Sequence, residues 1–214
     1  MISYVDGSYS SGKVMMTSVR IGESGDIGSM KTIAVDEIED TVGMHADGLL
    51  GLTPIGYAAG NDQPQSDLLL DKLYEYGQID KKMFTTYYSL DDEKSMIIFG
   101  GYDESKVDNN IKWTDLAVNY AWTVETSDIY YNETKLTGEI TAGHLDTGTS
   151  MIYLPQSQFS SFMTTVGEHH PTCNKDYYGF LSCSPCPGLD VLHSLFIEID
   201  GYKFEVPTDN YVVD

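Results

Sequence analysis

The run His144-Leu145-Asp146-Thr147-Gly148-Thr149-Ser150-Met151-Ile152-Tyr153-Leu154-Pro155 decides the fold. An acid follows a short apolar lead. Thr-Gly-Thr-Ser comes next, and then an apolar strand. Gly148 permits a tight loop and a close backbone approach. Thr149 is placed to hydrogen-bond the outer carboxylate oxygen and fix its orientation. A carboxylate held on a small, hydroxyl-rich loop suits general acid/base work on a bound water. Asp146-Thr147-Gly148 by itself is a weak signal, common by chance and more often the turn closing a hairpin, so the flanks must decide.

Outward from that run the chain reads as strands and turns. Trp122, Val124 and Thr126 point one way, and Ala121, Thr123 and Glu125 the other. Leu195, Ile197 and Ile199 alternate with Phe196, Glu198 and Asp200. Asp200-Gly201 then predicts a tight hairpin, because both residues can take positive φ, and Tyr202, Phe204 and Val206 resume the alternation. Asp6-Gly7 repeats the signal near the start. Two short helices are expected. One has Ser66-Asp67 as cap and acidic first turn, then Leu69, Leu70, Leu73, Tyr74 and Tyr76, with Gly77 as its stop. The other starts at Pro155, carries Phe159, Phe162, Met163 and Val166 on one face, and ends at Gly167.

Composition sets outer limits. The chain has 214 residues, 12 Lys+Arg against 33 Asp+Glu, and a formal net charge of -21. Such a surface repels phosphate, which argues against nucleic acid and anionic membrane as partners. Charged residues are only 21% and hydrophobic ones 41%, so this is no acidic disordered tail. No apolar run approaches the roughly 18 residues a membrane span needs. The start shows no basic, apolar leader. The abrupt ends and the 3 Cys carry the expectation of a piece of a longer protein.

The run around Asp146 resembles the second active-site motif of the pepsin-like aspartic proteases, and further landmarks follow in that family's order. Ile2-Ser3-Tyr4-Val5-Asp6-Gly7-Ser8 resembles the flap hairpin. Asp47-Gly48-Leu49-Leu50-Gly51-Leu52 resembles the apolar-apolar-Gly segment of the N-terminal lobe. Ile97-Ile98-Phe99-Gly100-Gly101-Tyr102-Asp103 resembles the run closing that lobe, and Trp122-Thr123-Val124 the strand leading toward the second active-site loop. Phe196 to Phe204, with Tyr211, resembles the late C-lobe hairpin.

The resemblance implies a mostly β, bilobal pepsin-like fold with short helices, truncated at both ends. Residues 1–105 would be the rest of the N-terminal lobe, and 106–214 most of the C-terminal lobe. It implies aspartic-type endopeptidase chemistry: two carboxylates share a proton and activate a water against a peptide carbonyl. Asp146 would be the C-lobe carboxylate, with Thr147, Gly148 and Thr149 as its loop. Tyr4, Asp6 and Ser8 would form the flap against substrate. Leu49, Leu50 and Gly51 would support the other carboxylate. The sequence contains one Asp-Thr-Gly. Little or no activity of the chain alone is therefore expected, and a non-catalytic peptide-binding or inhibitory relic is the rival. The implied partner is a peptide or protein, the full-length form a monomer, and the compartment secreted or lysosomal/vacuolar. No cofactor and no metal are implied.

Other residues leave alternatives open. His169, His170, Cys173, Cys183 and Cys186 could space a zinc site. Two of the Cys could instead form a disulfide, with the third paired elsewhere, or all could be free thiols. Cys183-Ser184-Pro185-Cys186 lacks the βαβ surroundings of a redox motif. Asn132-Glu133-Thr134 is a candidate glycosylation site on a turn. His144 is expected to line the cleft or core rather than to react. The acidic run from Asp36 to Asp40 reads as solvated surface. An aspartyl-phosphate enzyme would need a Lys after its Asp and a doubly wound sheet, and neither is present in the pattern. A homodimer pairing two copies of Asp146 fits poorly, since Tyr4 and Asp146 would belong to different lobes.

Overall fold

The computed structural model describes residues 2–3, 7–22, 26–39, 46–54, 68–89, 94–107 and 110–212. Chain packing separates Met1–Lys112 from Trp113–Asp214. The expected boundary after residue 105 falls inside the first unit. The expected mostly β class, with two α-helices among the described residues, is observed.

The first unit is built on a long antiparallel ribbon. β1 (Ile2–Ser3) pairs with β2 (Tyr9–Arg20), and β2 with β3 (Asp26–Glu39). Ser3 lies opposite Tyr9, and the expected Asp6-Gly7 turn falls on a stretch that lies partly outside the described residues. Tyr4 and Asp6 lie outside the described residues. At one end of the ribbon Ile27 and Met30 are buried against α1 (Leu69–Glu75), which contributes Leu69 and Leu73. These two are four apart and share a helix face. Tyr74 and Tyr76, expected on that apolar face, are exposed. The expected capping residues Ser66 and Asp67 also lie outside the described residues, and the cap position is held by Leu68, whose side chain makes no capping bond. Away from this core the ribbon exposes Val14, Met15, Met16, Val35 and Ile38. β4 (Phe84–Tyr87) and β5 (Met96–Phe99) form a separate hairpin.

The second unit holds a sheet on β6 (Thr123–Tyr131). β7 (Thr134–Lys135) and β8 (Ala142–His144) both pair with it. β11 (Leu195–Ile199) lies along β6 and is joined to β12 (Tyr202–Val206) by Asp200-Gly201. Both turn residues are left-handed, at φ 49 and 74, as that dipeptide predicts. The expected alternation in β6 holds for buried Val124 and Thr126, then slips so that Ile129 and Tyr131 are buried. The cause is a bulge: Ile199 faces Thr126, whereas Glu198 faces Asp128, leaving Ser127 as the extra residue.

α2 (Gln156–His169) packs on this sheet with Gln158, Phe162 and Val166 buried. It runs past Gly167, where its end was expected. Glycine inside a helix costs about 1 kcal/mol relative to alanine. Here the burial of Val166 offsets that cost, and the His170 N–H continues the helical bonding to the Val166 carbonyl at 2.7 Å. Tyr131, Phe162, Val166, Ile129, Leu136, Cys173 and Leu195 form the core. β9 (Cys173–Lys175) and β10 (Leu181–Cys183) place Cys173 opposite Cys183, and the two are disulfide-bonded. Bonded to each other, they cannot serve as zinc thiolates. Cys186 is free and exposed.

Candidate active site

The loop at Asp146 is fastened on both sides. Upstream, β8 is held in register on β6 with His144 opposite Thr123, and the Thr123 hydroxyl lies 3.1 Å from His144 Nδ1. One step further the Leu145 N–H donates to the Trp122 carbonyl at 2.8 Å. Downstream, Leu154 packs against the core cluster and Pro155 leads into α2. The loop between is short because its own polar groups close it. The Gly148 N–H donates to Asp146 Oδ1 at 2.9 Å, and the Thr149 hydroxyl donates to Oδ2 at 2.5 Å. The Thr149 N–H reaches the Asp146 carbonyl at 3.3 Å.

Each carboxylate oxygen therefore has one protein donor. Those donors favour the charged form and hold the Asp146 carboxyl below the ordinary range. The Thr149 hydroxyl contributes most, then the Gly148 amide, with a smaller attraction from His144, while partial burial opposes them. Gly148 is favoured by closeness rather than by an unusual φ: a Cβ there would sit 3.2 Å from Asp146 Oδ1, and the carboxylate would have to shift by a few tenths of an ångström. Asp146 and Thr147 are exposed, so water can reach the carboxylate. The arrangement is an oriented, ionised carboxylate with free lone pairs, suited to accept a proton from water.

Of the other expected site residues, Leu49, Leu50 and Gly51 lie in an irregular segment of the first unit, with both Leu side chains exposed. Ser8 is partly buried between Gly7 and Tyr9. His144 is exposed, which rules out the core alternative for it. Asn132 stands on the exposed β6–β7 turn at φ 55. Thr123 and the Trp122 carbonyl were not foreseen as parts of the site. Strand register creates both contacts, on the Trp122-Thr123-Val124 strand already read as leading toward this loop.

A family model described as "Eukaryotic aspartyl protease" matches residues 1–214. Pepsin II-2/3 of Oryctolagus cuniculus is 27% identical over 171 residues, covering 78% of this chain and 41% of that protein. Pepsin A of Canis lupus familiaris is 24% identical over 169 residues, covering 78% of this chain and 41% of that protein. The chain thus spans about two-fifths of the length of these relatives. The crystal structure of an aspartic proteinase from Irpex lacteus is similar with a TM-score of 0.71 at 21% identity, covering 97% of this chain and 67% of that one. With its fold and its sequence pointing the same way, this chain belongs to the eukaryotic aspartyl protease family.

Proposed function

We propose that the chain supplies one carboxylate, Asp146, to an aspartic-type endopeptidase acting on peptide or protein substrates. The observation carrying this is the pair of donors on Asp146, one to each oxygen, in an exposed loop between β8 and α2. They present an ionised, fixed base to water. Peptide hydrolysis also needs a proton donor for the carbonyl oxygen, and an ionised Asp146 cannot be that donor. A second carboxyl sharing one proton with it completes the chemistry, since close like charges cannot both ionise. The sequence holds a single Asp-Thr-Gly. The 214-residue chain alone is therefore inactive, and the second Asp must come from other residues of the natural polypeptide. Tyr4, Asp6 and Ser8 would cover the bound peptide, and Leu49, Leu50 and Gly51 would back the second carboxyl.

The net charge of -21 and the Cys173–Cys183 disulfide support an oxidising, acidic compartment, secreted or lysosomal/vacuolar, where protonation lowers self-repulsion. The working form in this reading is a monomer without cofactor. The test compares this chain with the natural polypeptide, with and without Asp146→Asn, on a denatured protein substrate between about pH 2 and 6, where carboxylates titrate. Cleavage by the natural polypeptide only, abolished by the substitution, is expected. Cleavage that survives Asp146→Asn sinks the assignment, and an inactive natural polypeptide that still binds peptides makes the fold a non-catalytic relic.

A further inference from the structure

We propose that Asn132 carries an N-linked oligosaccharide. Asn132-Glu133-Thr134 meets the acceptor pattern, since the middle residue is not proline. The structure adds independent support. Asn132, Glu133, Thr134 and Lys135 are all exposed, so the whole acceptor tripeptide is open to solvent. Asn132 sits at φ 55, a left-handed position that Asn tolerates better than most residues. Its contribution to the fold is made by backbone: the Asn132 N–H donates to the Ser194 carbonyl at 3.0 Å. The side-chain amide can be substituted without breaking that bond.

Position matters as well. β6 is 9 residues long and has Asn132 just past one end and the Asp146 loop fastened to the other. At about 3.3 Å per residue the two are separated by roughly 30 Å along the strand, so a glycan at Asn132 leaves Asp146 accessible. The glycan would instead stand over β7, the short edge strand of this sheet, and hinder pairing with another chain there.

The donor is a lipid-linked oligosaccharide diphosphate. The Asn132 Nδ2 attacks the anomeric carbon, an N–C bond forms, the C–O bond to the diphosphate breaks, and Nδ2 gives up one proton. The lipid diphosphate leaves with the electron pair. The proposal is independent of whether Asp146 works in a peptidase.

The test directs the full 214-residue chain into the secretory lumen of a eukaryotic cell and examines total protein, retained and secreted, by gel mobility and peptide mass. Because the modification is read on total protein, a variant that fails to fold is still scored. One glycan-sized step is expected, removed by a glycan-releasing amidase that leaves Asp at 132, and absent in both Asn132→Gln and Thr134→Ala. Asn132→Asp serves as the mobility control. An unshifted chain whose peptide spanning residue 132 is found unmodified overturns the proposal. So does a shift that persists in Asn132→Gln.

Discussion

Phe162→Ala should take away a large part of the margin by which the second unit stays folded. Phe162 is only 5% exposed. Its ring meets Tyr131 edge-on at 5.5 Å and Tyr211 at 6.5 Å, and Val166 follows one turn along α2. Truncating a buried Phe to Ala costs about 3–5 kcal/mol, from lost transfer energy and the cavity left behind. Against a usual total of about 5–15 kcal/mol, a loss near 4 lowers the folded-to-unfolded ratio roughly a thousandfold. Phe162→Leu separates the contributions. It keeps most of the volume and gives up two edge contacts worth about 0.5–1.5 kcal/mol each, so it should cost roughly 1–3 kcal/mol. Trp113 and Trp122 are the 2 Trp of the chain, and both lie in the second unit. Their emission during urea unfolding reports that unit selectively. A Phe162→Ala loss below about 1 kcal/mol, or no ordering of Ala beyond Leu, would refute the claim that this ring anchors α2.

Thr149→Val removes the larger of the two bonds that depress the Asp146 carboxyl, so its titration should move up toward the ordinary value of about 3.9. A depressed folded pKa contributes stability that is complete above the unfolded value and disappears as pH falls through the folded one. The variant should therefore show a flatter acid limb, with the carboxyl carbon shift followed by NMR; an unchanged titration counts against the bond. Before reduction one thiol, Cys186, should react with iodoacetamide, and after reduction all 3 Cys should. Reduction opens a bridge of sequence separation 10 and should cost up to roughly 3 kcal/mol in urea unfolding. Gly201→Ala forces a side chain into φ 74 and should lower stability by about 1 kcal/mol or more, seen as an earlier urea midpoint with unchanged slope.

The local chemistry was legible in the sequence wherever it is made by neighbours in the chain. Asp200-Gly201 forms its turn because two adjacent residues set both φ angles. Asp146, Gly148 and Thr149 close their loop within four consecutive positions. What pairing decides was hidden. The bulge at Ser127 switches the buried face of β6, and only the register with β11 reveals it. The run-on of α2 through Gly167 follows from packing of Val166, which outweighs the glycine's preference. The pairing of Cys173 with Cys183 is fixed by β9 facing β10, a relation that spacing alone left open.

The apolar outer stretch of the β2–β3 ribbon has a thermodynamic consequence. Val14 is 69% exposed in the folded chain, and Met16 57%. Surface already wet before unfolding adds nothing to the heat capacity gained on unfolding, which scales at about 0.45 cal/K/mol per Å² of newly exposed apolar area. This stretch of ribbon should therefore add less to the heat-capacity step of unfolding, and to the dependence on denaturant, than a buried stretch of the same apolar content.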